Sequence, residues 1–411
     1  MKNAIILTYL FLSTLTFAQE VLPIFGDTTF EKNLLKISSH NYYSSNHFNN
    51  ALLDKFIFGG TITDEIKNKN SERLSPNNRL GGEMEQTIEH YNANIHPIRN
   101  KKYGLLLSFS DAHLLSANVP TDLFNLAMYG NADYLNDTLK FGFAHVQYLH
   151  YQKIGVGIFD KSTLSSLKVN YIAGSKVLEG RLNDSWMLNQ PDSITLKMQG
   201  AGYSSDRFYP YMGFQGSGVT VDLNYNFLFE SRKGNSQFLN LKISNLGFVV
   251  WNANNHQYTV DSTSNYTGFD IRNFINQPEG TSKKYNFIDT LGVYEGQGKN
   301  IAAMPIEFVL QKAPVRNSSQ KLQYILGFKT ILTSDYFPYL FAGVYYAPVA
   351  NFSASTRLSY GGFGGLQWGL NLNYWIKGKT YLALGTYDMI GNISKNYGFG
   401  RSINFSAHFN L

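Results

Sequence analysis

The 411-residue sequence contains no cysteine. This absence excludes disulfide bonds, thiolate metal sites and a lipid-anchored cysteine at the start of a mature chain. A strong excess of one charge is also missing, because 35 basic and 29 acidic residues leave a formal net charge of only +6. An imbalance this small does not indicate a nucleic-acid-binding protein, so we expect no nucleic acid among the partners.

Long apolar runs are missing as well. No stretch of eighteen or more apolar residues follows residue 18, which excludes a helical membrane protein. The short run from Ala4 to Leu12 follows Lys2 and precedes Thr16 to Ala18, which is the order of a cleavable secretory signal. We therefore predict a signal peptide over residues 1–18 and a mature chain that begins at Gln19.

Aromatic residues and glycine are abundant, with 28 Tyr, 30 Phe and 36 Gly, although the mean hydropathy is only -0.22. This combination is typical of a transmembrane β-barrel, whose lipid-facing residues alternate with polar lumen residues and whose aromatic residues gather at the two membrane interfaces. A soluble β-sandwich is the alternative, since it shares the alternation but buries its apolar face in one core.

The C-terminal segment carries the clearest alternation. One face holds Ile403, Phe405, Ala407, Phe409 and Leu411, and the other holds Ser402, Asn404, Ser406, His408 and Asn410. We predict that the first face meets lipid and the second faces water. A final strand of this kind is similar to the signal read by barrel-assembly machinery, which we expect as a partner during insertion, together with outer-membrane lipid.

Similar period-two segments recur upstream and predict an all-β, transmembrane antiparallel β-barrel of roughly 14 strands over residues 103–411. The predicted strands are Tyr103 to Ser110, Phe141 to Leu149, Ile154 to Phe159, Leu167 to Ala173, Ile194 to Gln199, Val219 to Glu230, Leu239 to Ile243, Met304 to Gln311, Leu322 to Thr333, Leu340 to Tyr346, Phe352 to Tyr360, Leu366 to Lys377 and Ile403 to Leu411.

Three regions interrupt this rhythm. Thr121 to Tyr129, followed by Gly130, predicts a short helix on the periplasmic rim or in the lumen. The polar segment from Phe248 to Asn300 predicts a long extracellular loop, with a helix over Phe269 to Asn276. Residues 19–102 show little alternation, so a periplasmic arm, an inward plug and unrecognised first strands all stay open.

A search for chemistry finds no zinc-protease, nucleophile-elbow, phosphate-loop or dinucleotide motif. The glycines from Gly361 to Gly365 have neither the spacing nor the following helix of such a loop and predict a bulge or turn. Pairs such as Asp111 with His113 and His145 with Tyr148 are expected by chance among nine histidines. No catalytic, cofactor-binding or metal-binding residue is therefore predicted, and no cofactor.

The terminal strand offers one serine and histidine on the same face. At about 3.3 Å per residue, Ser406 and His408 lie ~6.6 Å apart along the strand, which we take as too far for direct proton transfer. We interpret them as lumen lining. The charged residues predicted to face the lumen, where they would tune ion selectivity, are Asp222, Glu230, Arg357 and Lys377.

Several short motifs together resemble a family of uncharacterised outer-membrane proteins of Bacteroidota that is distantly similar to FadL and PorV barrels. They are Met128 to Asn131, Phe141 to Phe143, Ile154 to Gly157, Gly180 with Arg181, Asn245 to Phe248 with Trp251, and Gly268 to Asp270. The resemblance covers most of the mature chain and implies a fold and an outer-membrane location, but no reaction.

Two functions of different classes fit this prediction, and an enzyme is a distant third. The first is passage of a small solute, for which an apolar one is considered, as in FadL-like or porin-like barrels. The second is a structural role as an accessory or docking subunit of a larger outer-membrane machine, such as barrel assembly or type 9 secretion, with other outer-membrane proteins as partners. The long loops and the PorV-like resemblance favour the second.

Overall fold

The structure is a computed structural model that describes residues 23–24, 26, 33–205, 214–230, 236–267, 292–316, 318–333, 335–376 and 379–411. The strands in this part of the chain are β1 (Asn33–Ser45), β2 (Asn78–Asn92), β3 (Tyr103–Val119), β4 (Asp137–Lys140), β5 (His145–Asp160), β6 (Ser166–Leu182), β7 (Trp186–Asn189), β8 (Ile194–Ser204), β9 (Gly216–Glu230), β10 (Ser236–Trp251), β11 (His256–Tyr266), β12 (Val293–Gln297), β13 (Asn300–Ala303), β14 (Glu307–Ala313), β15 (Leu322–Ile331), β16 (Phe337–Val349), β17 (Phe352–Gly362), β18 (Leu366–Ile376), β19 (Thr380–Thr386) and β20 (Gly400–Asn410). The described α-helices are α1 (Asn50–Phe58), α2 (Asp64–Ser71), α3 (Thr121–Tyr129) and α4 (Met389–Ile393), and a 3-10 turn covers Ala132–Tyr134.

Fourteen of these strands form a closed antiparallel barrel, which confirms the predicted fold class and strand number. The ring runs β1, β2, β3, β5, β6, β9, β10, β14, β15, β16, β17, β18, β19, β20 and back to β1. Closure comes from β1 and β20, whose register pairs Leu34 with Asn410 and Ser44 with Gly400. A closed ring leaves no unpaired strand edge in the wall.

The two ends of the barrel differ. At the terminus end, which holds Asn33 and Asn410, short turns such as residues 161–165 join the strands. At the opposite loop end, the connections are long: residues 46–77 carry α1 and α2, residues 120–144 carry α3 and β4, and residues 183–215 carry β7 and β8. β8 pairs with the loop-end part of β6 and also with β11, so a small sheet extends the wall at the loop end.

Residues 19–102 contribute two ring strands, β1 and β2, so one of the three possibilities left open for them, unrecognised strands, describes a large part of this segment. The alternation is hidden there because polar side chains stand on both faces. Ser39, Asn41 and Gln86 bond one another on the outer face, whereas Glu83 and Glu85 point inward. A hydrophobic period of two is the main sequence signal for such strands.

Other boundaries differ from the sequence prediction. β5 joins two predicted strands into one, β8 lies outside the ring, and β19 was not recognised. The predicted loop from Phe248 to Asn300 contains the end of β10 and the strands β11 and β12, so a plain loop was wrong there. The possible helix over Phe269 to Asn276 lies outside the described residues, as does the predicted signal peptide.

The helix α3 spans Thr121–Tyr129 as predicted and ends at Gly130, whose φ is 79°. It lies at the loop end, where its Phe124 packs with Phe48 and Leu52 from the α1 region. The glycine cluster is a turn as expected: Gly361 and Gly362 have φ values of 113° and 68°, which favour glycine.

In the part of the chain that the structure describes, no helix is both long and apolar enough to cross a membrane.

Candidate functional site

The lumen contains a network of buried ion pairs, which strand alternation places there. On β2, Glu83, Glu85 and Glu89 point inward because every second side chain lies on the same face. Ile88, between them, is exposed on the outer face. One strand therefore supplies a row of three carboxylates along the lumen wall.

The first half of the network crosses the barrel. Lys329 Nζ lies 3.0 Å from Glu83 Oε2 and 2.5 Å from Glu307 Oε2, and Lys242 Nζ lies 2.9 Å from Glu307 Oε1. Lys329 belongs to β15, which stands halfway round the 14-strand ring from β2. The Lys329–Glu83 pair therefore links opposite walls and obstructs the lumen between them.

The second half joins neighbouring walls. Lys153 Nζ lies 3.1 Å from Glu85 and 3.9 Å from Asp222, and Lys168 Nζ lies 3.2 Å from Glu89 and 3.7 Å from Asp222. The side chains are mostly buried, so each charge depends on its partners for compensation. Asp222 of β9 lies near both lysines, so it connects β9 to the row of glutamates on β2.

Aromatic rings fill much of the remaining lumen. Buried Tyr42, Tyr151, Tyr339 and Trp375 belong to one large apolar cluster that also contains Ile24 from the start of the described chain. Ile24 therefore lies inside the barrel, as a residue of an inward plug would.

Cations lie against these rings. The Arg357 guanidinium is 3.3 Å from the ring centre of Tyr387 and 4.7 Å from that of Phe341, and Arg316 stands 4.4 Å from the ring centre of Trp375. Cations over aromatic faces are favourable, particularly where water is displaced. These contacts explain how a packed lumen accommodates arginine.

A cavity of about 390 Å³ remains at the terminus end of the lumen. Its polar and charged lining includes Lys36, Ser38, His40, Glu89, Lys168, Asp222, Asn224, Asn240, Lys242, Gln311, Ser406 and His408. Pro23, Ile24 and Gly26 also border it. The cavity is thus a polar chamber partly walled by these three residues, with ion pairs along its side.

At the loop end, two clefts lie outside this chamber. One, of about 480 Å³, has an almost entirely apolar lining that includes Ala117, Val146, Leu182 and Val260. The other, of about 1080 Å³, is bordered by Pro120, Trp186 and Phe143.

Phe143 is 80% exposed and has a φ of 68°, a costly conformation for a bulky residue. Hydrogen bonds hold it there: its N–H donates to Leu182 O at 3.0 Å, and Asn118 Nδ2 donates to Phe143 O at 2.9 Å. The surrounding backbone thus presents an aromatic ring at the edge of the larger cleft.

The residues singled out from sequence fall in different places. Asp222 and Arg357 face the lumen as expected, whereas Glu230 is exposed at the terminus end of β9 and Lys377 lies outside the described residues. Lys153, Lys242 and Lys329, which carry the network, were missed because an isolated lysine in a strand gives no sign of its partner across the barrel.

One prediction from spacing was wrong. Ser406 Oγ and His408 Nε2 are 2.9 Å apart, within hydrogen-bond distance, because the imidazole leans along the strand and shortens the separation set by the backbone. The His408 ring also lies against Tyr381, with 4.6 Å between ring centres. The two residues line the chamber together.

The histidines that were attributed to chance are also arranged by the fold. His145 Nδ1 lies 2.6 Å from Asp335 Oδ2, which also accepts a hydrogen bond from Ser116 at 2.7 Å. Asp111 and His113 lie on the opposite, outer face, where β5 adds His150, a residue that the sequence search did not connect with them.

No protein-family model matches the chain, and no curated protein matches it. Among solved structures, the chain is similar to a mutant of the monoaromatic hydrocarbon channel TodX, with 9% identity, a TM-score of 0.43 and coverage of 93% of this chain and 91% of that one. It is also similar to the toluene transporter TodX of P. putida, with 9% identity, a TM-score of 0.35 and coverage of 93% and 91%. A further similar structure is the monoaromatic hydrocarbon channel CymD, with 8% identity, a TM-score of 0.27 and coverage of 93% and 89%.

Proposed function

We propose that this protein is a non-enzymatic outer-membrane barrel that passes a small polar solute through a lumen that is closed at rest. The observation that carries the proposal is the polar chamber of about 390 Å³ inside a closed 14-stranded ring whose opposite walls are joined by Lys329 and Glu83. A polar chamber of this size can hold a small solute, and an ion pair that crosses the lumen can close the path of that solute.

The outer face supports the membrane location. Exposed apolar side chains recur on the outward positions of strands all round the ring, as a lipid-facing band requires. They include Leu107, Phe109, Ile154, Val156, Tyr225, Phe227, Leu326, Leu340, Leu358, Leu372, Leu384 and Ile403. With the termini in the periplasm, the loop end with its helices and clefts faces the outside.

The chamber lining argues for a polar solute and against the apolar one considered from the sequence. Asparagine, serine, lysine and glutamate side chains supply both hydrogen-bond donors and hydrogen-bond acceptors. Charges of both signs are also present. An apolar molecule would displace water from these groups without replacing its hydrogen bonds, which is unfavourable.

The gate is tested with Lys329→Met. Loss of the ammonium leaves Glu83 and Glu307 without that partner, which we expect to cost roughly 3 to 5 kcal/mol of stability and to open the lumen. The purified full-length protein is reconstituted in liposomes, and uptake of small neutral sugars is followed by swelling rate.

Lys312→Met is the matched control, because Lys312 lies on neighbouring β14 but outside the buried network. We expect slow swelling for the wild type and the control and faster swelling for Lys329→Met. Swelling of the wild type at the rate of an open pore, or no increase in a correctly inserted Lys329→Met variant, would reject the gated channel.

Export by a signal peptide over residues 1–18 belongs to the same proposal. Small side chains at Thr16 and Ala18 are what signal peptidase reads, so the mature chain should begin at Gln19. Mass spectrometry of envelope protein gives the test, and a mature form that retains Lys2 would contradict it.

A docking role is the second candidate, and Phe143 is the observation in its favour. Phe143 combines a strained backbone with an exposed ring beside a cleft of about 1080 Å³. Exposed aromatic side chains of this kind are common anchors in protein interfaces. Affinity purification from native membranes would then yield a stoichiometric partner with the wild type and with Phe56→Ser, an exposed loop-end control, but not with Phe143→Ser. An isolated wild-type barrel would remove this candidate.

A further inference from the structure

The outer face of the wall changes character part of the way along β3 and β5. Phe109 and Ile154 are exposed apolar residues on this face, but the next outward positions toward the loop end are Asp111 and Gln152, which bond to each other. Polar and charged side chains on a lipid-facing surface are unfavourable at depth and better tolerated near the interface. The polar patch around Asp111 and Gln152 therefore lies at the loop-end edge of the apolar band. Its polar side chains need an explanation other than contact with lipid.

We propose that Asp111, His113 and His150 bind a divalent transition-metal ion of the zinc class on the outer face of the barrel. Their three candidate ligand atoms all lie within 4.8 Å of one another. Two imidazole nitrogens and a carboxylate oxygen form a ligand set that zinc accepts, with a fourth position left for another donor.

The distances between ligand atoms support this assignment. His150 Nε2 is 3.0 Å from Asp111 Oδ1, and His113 Nε2 is 3.5 Å from Asp111 Oδ2. Ligands about 2.0 to 2.2 Å from a tetrahedral zinc ion are about 3.3 Å from one another. These two separations are close to those of a tetrahedral site, and an ion bound by both imidazoles requires their stacked rings to tilt towards each other.

The fold places these ligands side by side. His113 and His150 are direct partners in the register of β3 and β5, and their rings stack with centres 3.9 Å apart and an angle of 8° between planes. Asp111 is two residues from His113 on the same strand, so it reaches the same side. A site built on paired strands needs little ordering when the ion binds.

Further hydrogen bonds orient the ligands. Tyr148 OH lies 2.9 Å from His113 Nδ1, which leaves Nε2 of that ring directed at the site. A hydroxyl can accept from the Nδ1–H tautomer that metal binding by Nε2 requires. Metal-binding histidines usually have such a partner on their other ring nitrogen, and its presence here is independent of the cluster itself.

Gln152 is placed to complete the coordination. Its amide Nε2 lies 2.6 Å from Asp111 Oδ1 and 3.0 Å from His150 Nε2, and Ser175 Oγ donates to its Oε1 at 2.7 Å. A half-turn of this amide puts Oε1 beside the two ligands, while the serine hydroxyl then accepts from Nε2. Gln152 thus serves as the fourth ligand or positions the other three.

Access from solvent is sufficient for exchange of the ion. The side chains of Asp111 and His113 are 33% and 21% exposed, and that of His150 is 8% exposed. The site lies outside the lumen, so it does not depend on the proposed channel function.

The test uses the full-length protein, purified without a histidine tag, freed of metal with a chelator and kept in detergent. Zinc binding is measured by calorimetry, and cobalt is used as a spectroscopic probe of tetrahedral coordination. We expect one equivalent per chain, a tetrahedral cobalt spectrum, and a zinc-dependent rise in the temperature of unfolding.

Five variants separate the proposed ligands from residues that do not contact the ion. His113→Ala, His150→Ala and Asp111→Asn should each weaken zinc binding by at least tenfold, whereas His90→Ala should leave it unchanged. His90, on β2, is a further histidine on the outer face, two residues from exposed Ile88. Gln152→Leu should weaken binding by about 10- to 100-fold if it only positions the ligands.

Heat-modifiable migration on gels shows that each variant is folded. The proposal is overturned if the folded wild type shows no saturable zinc binding, if the three ligand variants keep wild-type affinity, or if His90→Ala loses as much as they do.

Discussion

Consecutive residues in a wall strand lie on opposite faces of the barrel. Neighbours in sequence therefore face the lumen and the outside in turn. Phe405 is 41% exposed on the outer face of β20, whereas Ser406 is 4% exposed and borders the polar chamber. This confirms the faces predicted for the terminal strand. Ala407 shares the outer face but is buried, unlike Ile403 and Phe405 on the same strand.

A pair of arginine substitutions tests this sorting. Phe405→Arg should cost roughly 2 to 4 kcal/mol, because a charge would enter the lipid-facing band. Ser406→Arg should assemble better, because its side chain can extend into the chamber. The measurement is the amount of heat-modifiable protein in the outer membrane, and equal or reversed yields of the two variants would contradict the assignment.

Asp388 is a residue whose environment predicts a pH dependence. Burial at the loop end raises the pKa of its carboxyl to about 6. Its side chain caps α4 by accepting the Gly391 N–H at 2.7 Å. Because the folded state disfavours the ionised carboxylate, the protonated form of Asp388 is compatible with the fold at no cost. The local stability of α4 is therefore highest below the ordinary pKa of an aspartate and falls as the pH rises through about 6.

We expect the α4 turn to lose about 3 kcal/mol of local stability between pH 4 and pH 7. Amide hydrogen exchange of Gly391, corrected for the intrinsic pH dependence of exchange, measures it. Asp388→Asn should keep the cap and abolish the pH dependence. A variant that responds to pH as the wild type does would show that another group titrates.

At the scale of elements, close contacts between strands and inward side chains fix how the loop-end part of the wall packs. Trp251, at the end of β10, is 1% exposed and lies against two glycines, Gly174 of β6 and Gly216 of β9. A Cβ atom at Gly174 would stand 2.6 Å from the Trp251 ring. The glycines therefore make room for the indole where three adjacent strands meet.

Gly174→Ala should consequently destabilise the barrel by about 1 to 3 kcal/mol through overpacking. Gly180→Ala on the same strand is the control, because its Cβ would meet Val146 at 3.6 Å, an ordinary contact. The temperature at which each folded protein loses its compact gel mobility gives the comparison. Equal temperatures for the two variants would mean that Trp251 moves aside without cost.

Among the described residues, the 14 strands of the wall form a ring without free edges, so we expect the barrel to unfold cooperatively. The folded protein in detergent should migrate differently on a gel before and after boiling, because only strong heating opens a closed barrel. An unchanged band, together with recovery in the soluble periplasmic fraction, would contradict a membrane barrel.

The lumen network adds bonds across this ring. Lys329 and Glu83 are 246 positions apart in sequence, and their contact exists only after β1 and β20 have closed the barrel. Closure of the ring therefore brings together the two charges that we propose as the gate.

The sequence by itself determined the features that depend on local backbone geometry. A period of two revealed most ring strands and both faces of β20, helical spacing with a final glycine placed α3, and Gly361 with Gly362 marked a turn. These signals are local because side-chain direction in a strand or helix repeats within a few residues.

Only the tertiary structure decided which strands join the ring and which side chains meet. β1 and β2 carry polar residues on both faces, so hydrophobic alternation could not reveal them. The lumen pair of Lys329 with Glu83 and the outer cluster of Asp111 with His150 depend on ring order and strand register. Ring order and register arise from pairing between distant segments, and spacing along the chain holds no record of either.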